Sequence, residues 1–127
     1  MIKAMALFIG GGIGASLRYL IAGWTYRLTG GLFPWGTLAV NLISGLAIGF
    51  LWDLFETRIV SPNLRTFVFI GILGGFSTFS SYALETVNLA REGEMGLALW
   101  NVLLSNVICI VLVYAGFVAS RFFKTLF

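Results

Sequence analysis

The segment Gly71-Ile72-Leu73-Gly74-Gly75-Phe76-Ser77-Thr78-Phe79-Ser80-Ser81-Tyr82 is where the backbone of this chain is best able to do chemistry. Adjacent glycines weaken a helix, and the hydroxyl residues after them offer competing hydrogen bonds. The run predicts an unwound stretch. Carbonyls released there are ligands for a hard monovalent cation such as Na⁺, and the N–H groups opening the next half-helix suit an anion. The alternative is a glycine-rich helix packed on a neighbour. Phe76, Phe79 and Tyr82 follow at three-residue steps. Their ring edges carry partial positive charge, so they serve either an anion or plain packing.

Two further stripes carry polar groups. Thr37, Asn41 and Ser44 fall on one face of a helix by their spacing. Asn101, Ser105 and Cys109 do the same at four-residue steps, with Asn106 beside them. Each stripe can track an ion or join helices through hydrogen bonds. Arg18 either attracts an anion in a vestibule or snorkels to the interface. Glu85 follows the third-segment run and can cap, pair with an arginine or gate. Most of this inventory donates hydrogen bonds, which is what an anion requires.

Other chemistry is excluded. The chain has no histidine and one cysteine, Cys109. That removes an internal disulfide, makes a zinc or copper site improbable, and rules out Ser-His and Cys-His nucleophile pairs. The run Gly10-Gly11-Gly12-Ile13-Gly14 resembles a phosphate loop only faintly, with no strand before it. Net charge is +3 with a pI near 9.4, but the cations are scattered and form no nucleic-acid patch.

The elements that must position these groups are transmembrane helices. Of 127 residues, 59% are hydrophobic and 10% charged, and mean hydropathy is +0.98. A soluble domain carries about 25% charged residues, so the bilayer is the solvent that suits this chain. A span needs about 20 mostly apolar residues. Four stretches qualify, at about 4–26, 34–55, 64–89 and 95–122. The first is read as a retained helix, because no small-x-small cleavage site follows it. The connections are too short for an extramembrane domain, so the chain reads as one all-α, four-helix transmembrane domain. Lys3, Arg58, Arg65, Arg121 and Lys124 lie on the side of the termini, against Arg27, Arg91 and the deeper Arg18. This modest bias favours cytoplasmic termini. The pairs Gly10/Gly14, Gly11/Ala15, Gly12/Ser16 and Gly45/Gly49 predict close helix contacts. Four thin helices enclose little interior, so an oligomer is expected.

Three segments resemble the Fluc (CrcB) family of bacterial fluoride channels. They are Gly10 through Tyr19, Gly36-Thr37-Leu38-Ala39-Val40-Asn41-Leu42, and Gly71 through Tyr82 with Ala83-Leu84-Glu85-Thr86. With the four-helix layout, the resemblance covers essentially the whole chain. It implies an antiparallel, dual-topology homodimer in the bacterial inner membrane. The third helix would break near the midplane, and two fluoride pathways would run along the subunit interface. It also implies a structural Na⁺ at the dimer centre, held by the carbonyls of Gly74 and Ser77. Asn41, Phe79 and Tyr82 map to the pathway, with Thr37 and Ser80 adding hydroxyls; Ser105, Arg18 and Glu85 complete the candidate set. Position 82 is usually phenylalanine in the family and is tyrosine here, and the fourth-helix stripe is poorer in hydroxyls than usual.

The function so implied is passive fluoride export. Fluoride enters as its neutral acid, ionises and is trapped. An inside-negative potential, worth about 2.3 kcal/mol per charge per 100 mV, then drives it out through a pore. The alternative is a proton-coupled transporter of a small ion or molecule, for which Glu85 would be essential. A membrane assembly subunit comes third, and an enzyme is remote.

Overall fold

The two prolines, Pro34 and Pro62, both stand at helix starts, where a missing N–H costs nothing. Between such punctuation the apolar runs propagate without interruption. The computed structural model describes residues 1–126. Helix α1 spans Ile2–Thr29 and α2 spans Trp35–Glu56. Helix α3 covers 62–76, with a π-helical stretch at Thr66–Leu73. Helix α4 spans Phe79–Arg91, and α5 runs over Met95–Leu126 with a π-helical turn at Leu104–Ile108.

Taken with the short gap between them, α3 and α4 make one crossing. The four crossings have 28, 22, 30 and 32 residues, each above the roughly 20 needed to span hydrocarbon. The helices overrun the apolar stretches because polar end residues continue the helix into the headgroup region. Local chemistry sets the ends. Gly30 takes φ of 61° after α1 and returns its N–H to Tyr26 at 2.9 Å, a conformation that favours glycine. The Ser61 hydroxyl accepts from the N–H of Leu64 to cap α3.

The polarity of the bundle is inverted relative to a soluble protein. Phe8, Trp24, Tyr114 and Phe122 are exposed, while Ser44, Asp53, Thr78, Asn101 and Ser120 are buried. This suits a lipid surround, in which polar groups must be satisfied within the protein. The chain is a multi-pass membrane protein.

Helix α1 packs on the π-helical part of α3, and α2 packs along the C-terminal half of α5. Both contacts depend on glycine. A Cβ at Gly14 would strike the carbonyl oxygen of Ile72, and one at Gly49 that of Val113. The Gly12/Ser16 pair behaves otherwise: a Cβ at Gly12 would meet nothing within 4 Å, and the Ser16 hydroxyl bonds back to the Gly12 carbonyl. That face of α1 packs on no other described part of the chain.

One face of the bundle is tied electrostatically. Buried Asp53 on α2 pairs with Lys124 and, at 3.6 Å, with Arg121 on α5. Beside it Arg65 donates to the carbonyl of Phe55 at 2.6 Å. The end of α2, the start of α3 and the end of α5 therefore share this face.

Candidate functional site

Between α3 and α4 the chain leaves the helix for two residues. Ser77 has φ, ψ of −70°, 156° and Thr78 has −148°, 110°. Gly74 and Gly75 remain helical. The carbonyl of Gly75 is not at issue for packing, but its missing Cβ is: one there would lie 2.7 Å from the carbonyl oxygen of Gly11. Gly75 thus serves the α1 contact, and the extended residues are Ser77 and Thr78.

Asn41 on α2 holds this extended pair. Its Oδ1 accepts from the N–H of Thr78 at 2.8 Å, and its Nδ2 donates to the Thr78 carbonyl at 3.0 Å. In a continuous helix the Thr78 N–H would go to the carbonyl of Gly74. Asn41 takes that N–H instead, which releases the Gly74 carbonyl. Thr78 also opens α4: its Oγ1 accepts from the N–H of Ser81 at 3.2 Å and bonds the Ser81 hydroxyl at 3.0 Å. On the other side Arg18 reaches in from α1, its guanidinium donating to the Ser77 carbonyl at 3.4 Å.

Three adjoining cavities surround this clasp. One of about 360 Å³ is lined by Asn41, Ser44, Ser77, Thr78, Phe79, Tyr82, Ser105, Asn106 and Cys109, among others. A second, of about 460 Å³, is lined by Arg18, Thr37, Thr78 and Ser81. A third, of about 320 Å³, holds Thr37 and Glu85. Thr78 borders the first two and Thr37 the last two, so the cavities form a series with the Asn41–Thr78 clasp standing between its two largest members. Thr37 donates to Glu85 Oε1 at 2.7 Å, while Glu85 Oε2 is buried with no partner among the described residues.

The aromatic pair sits at the first cavity, Phe79 and Tyr82 having ring centroids 5.3 Å apart and planes inclined by 59°. Phe79 is 75% exposed in the single chain. The polar stripe of α5 divides. Asn101, only 1% exposed, does not line the cavity; its Nδ2 donates to Thr86 Oγ1 at 2.9 Å and it accepts from Ser105 at 3.3 Å. Cys109 lines the cavity and donates weakly to the carbonyl of Asn41 at 3.4 Å. Asn106, off the four-residue stripe, enters the lining because it shares a helix face with Cys109, Ile110 and Val113.

Of the candidate residues, the fold brings Asn41, Phe79, Tyr82 and Ser105 to one cavity, and Arg18, Thr37 and Glu85 to the two beyond the clasp. Ser80 is exposed and borders none of the three; its hydroxyl lies 3.4 Å from Thr78 Oγ1. Gly74 is exposed on the surface of the single chain. Sequence reasoning overlooked the pairing of Asn41 with Thr78, and Asp53, for which nearness to a helix end was the only signal.

A family model described as CrcB-like protein, Camphor Resistance (CrcB), matches residues 5–117. A protein of Parabacteroides distasonis named fluoride-specific ion channel FluC is 45% identical over 121 residues, 95% of this chain and 94% of its own length. A protein of the same name from Agrobacterium fabrum is 43% identical over 122 residues, covering 95% and 98%. One from Magnetococcus marinus is 44% identical over 114 residues, covering 89% and 93%.

Proposed function

We propose, from the premise that this chain belongs to the CrcB-like family, that it is a fluoride-selective ion channel exporting fluoride by passive electrodiffusion. The observation that carries the reading beyond kinship is the series of cavities around the Asn41–Thr78 clasp. A permeating anion must exchange its water for other donors, since an unsatisfied charge in hydrocarbon is prohibitively costly. The lining supplies donors in sequence. The Arg18 guanidinium and the Ser81 hydroxyl collect the anion on one side, beside Thr37, whose hydrogen is held by Glu85. Asn41, with one amide hydrogen beyond the clasp, and the edges of Phe79 and Tyr82 carry it on the other, where Ser105 lines the path with its hydrogen given to Asn101. Donors this close favour the smallest halide, because a larger anion gains less from each contact and fits less well. Glu85 stands at the outermost cavity, hydrogen-bonded to Thr37.

The working unit in this reading is an antiparallel, dual-topology homodimer in the bacterial inner membrane. Two features of the single chain support a second copy. Phe79 and Gly74 sit on its surface, and the cavity beside Phe79 is open. A structural Na⁺ fits the released carbonyls. The Gly74 carbonyl has lost its helical partner to Asn41, and carbonyl oxygens suit a hard cation. One chain offers only Gly74 and Ser77, the latter beside Arg18, so the rest of the shell comes from the second copy. The third-helix interruption lies near the bilayer midplane, where non-helical backbone is tolerated only inside protein.

The test is the reversal potential of the purified protein in a planar bilayer under a fluoride gradient. A channel reverses at the fluoride equilibrium potential, about 59 mV per tenfold gradient for one charge, whatever the pH gradient. A proton-coupled transporter shifts its reversal when the pH gradient is changed.

A further inference from the structure

We infer that Tyr82 donates its hydroxyl hydrogen to the permeating anion and that Asn106 is the positioning residue aiming it; the inference rests on the channel reading above. Asn106 Nδ2 donates to the carbonyl of Val102 at 2.8 Å and to Tyr82 Oη at 2.9 Å. An amide nitrogen carries two hydrogens, so both are committed. The Val102 carbonyl also fixes which way the amide faces, since turning it over would set two oxygens against each other. Tyr82 Oη is therefore an acceptor toward Asn106 and retains its own hydrogen. Among the described residues no protein acceptor takes that hydrogen.

Tyr82 and Asn106 both line the 360 Å³ cavity, together with Asn41 and Ser105. The ring is steadied by Phe79 against it, so the hydroxyl has a defined place on the wall. A hydroxyl that accepts from an amide is a better donor in turn, and hydrogen bonds to an ion are stronger than those between neutral groups. A phenylalanine here would offer only a ring edge. The pair thus gives the wall an O–H donor for a small, strongly hydrated anion. Asn106 acts through Tyr82 and is not itself a ligand. It stands on the cavity side of α5 with Cys109, Ile110 and Val113, at the i, i+3, i+4 and i+7 positions of one helix face.

The experiment is the fluoride dependence of flux through the full-length protein in liposomes, for wild type, Tyr82→Phe, Asn106→Leu and the double variant. Tyr82→Phe is expected to raise the half-saturating fluoride concentration about tenfold, the scale of one hydrogen bond to an ion. Asn106→Leu is expected to raise it about threefold in the wild-type background and to have no further effect when Tyr82 is already phenylalanine. If Asn106→Leu does not yield intact protein, Asn106→Ser, too short to reach Tyr82, takes its place. An unchanged half-saturation in Tyr82→Phe, or an Asn106 effect that persists undiminished in the double variant, overturns the inference while leaving the channel reading standing. Absence of fluoride flux in the wild type overturns both.

Discussion

Asn41 and Thr78 exchange two hydrogen bonds, the side-chain amide of one pairing with the backbone N–H and C=O of the other at 2.8 and 3.0 Å. The amide thereby acts as a short strand against an extended residue. The same contact frees the Gly74 carbonyl and stands between the cavity lined by Arg18 and the one lined by Phe79 and Tyr82. Backbone geometry, the candidate cation ligand and the candidate anion path are thus joined at one side chain.

Replacing Asn41 accordingly does two kinds of damage. Asn41→Leu orphans a buried N–H and a buried C=O, each costing roughly 1–3 kcal/mol, and the thermal midpoint of the purified protein falls. Asn41→Asp keeps the shape and the acceptor but loses the donor to Thr78 and sets a negative charge on the path. Its fluoride flux is expected to fall about 100-fold or more, measured with a fluoride electrode, with a smaller loss of stability than in Asn41→Leu.

The glycine contacts make a steric prediction. A side chain at Gly49 would enter the backbone of Val113, and overpacking a tight contact costs about 1–3 kcal/mol. Gly49→Val is expected to lower the thermal midpoint sharply and to reduce the yield of folded protein. Gly96→Ala is the control. A Cβ there would meet nothing within 4 Å, and alanine favours the helix by up to about 1 kcal/mol, so its midpoint should hold or rise.

Removal of Na⁺ addresses the cation. Replacing Na⁺ by N-methyl-D-glucamine, too large for a cage of carbonyls, withdraws the cation proposed at the Gly74 and Ser77 carbonyls. Fluoride flux is expected to fall at least tenfold and to return when millimolar Na⁺ is restored. Flux that is indifferent to the exchange removes the structural cation from the account.

Asp53 tests the electrostatic tie between α2 and α5. Asp53→Ala leaves Lys124 facing the α2 carbonyl and Thr57 alone. The expected result is a lower thermal midpoint in detergent with fluoride selectivity unchanged, because neither Asp53 nor Lys124 borders the three cavities. Combining Asp53→Ala with Lys124→Ala should cost less than the sum of the single losses.

Much of this was legible in the chain itself. Four apolar runs, two prolines and short polar connections announce the crossings, because lipid permits little else. The polar residues could be found because each is an exception in an apolar sequence. Their partners could not. Asn41 and Thr78 are far apart in sequence, and nothing in either stripe says that an amide on α2 meets the backbone after α3. Gly74 and Gly75 drew attention as helix breakers, yet they stay helical and the extended residues are Ser77 and Thr78. At Gly75, packing against Gly11 outweighs the low propensity. The stripe of Asn101, Ser105 and Cys109 followed four-residue steps alone. The cavity face also takes in Asn106, three residues before Cys109, while Asn101 is spent on Thr86. Which of two adjoining polar residues meets the cavity depends on the neighbouring helix.

The most direct test of the central claim uses liposomes that hold only this protein, loaded with equal fluoride and chloride. A potassium diffusion potential is set up with valinomycin, and both anions are followed with selective electrodes. The account predicts that fluoride leaves rapidly once the potential can be balanced, while chloride stays. Chloride leaving alongside fluoride, or neither leaving with Na⁺ present and the dimer verified, would contradict it.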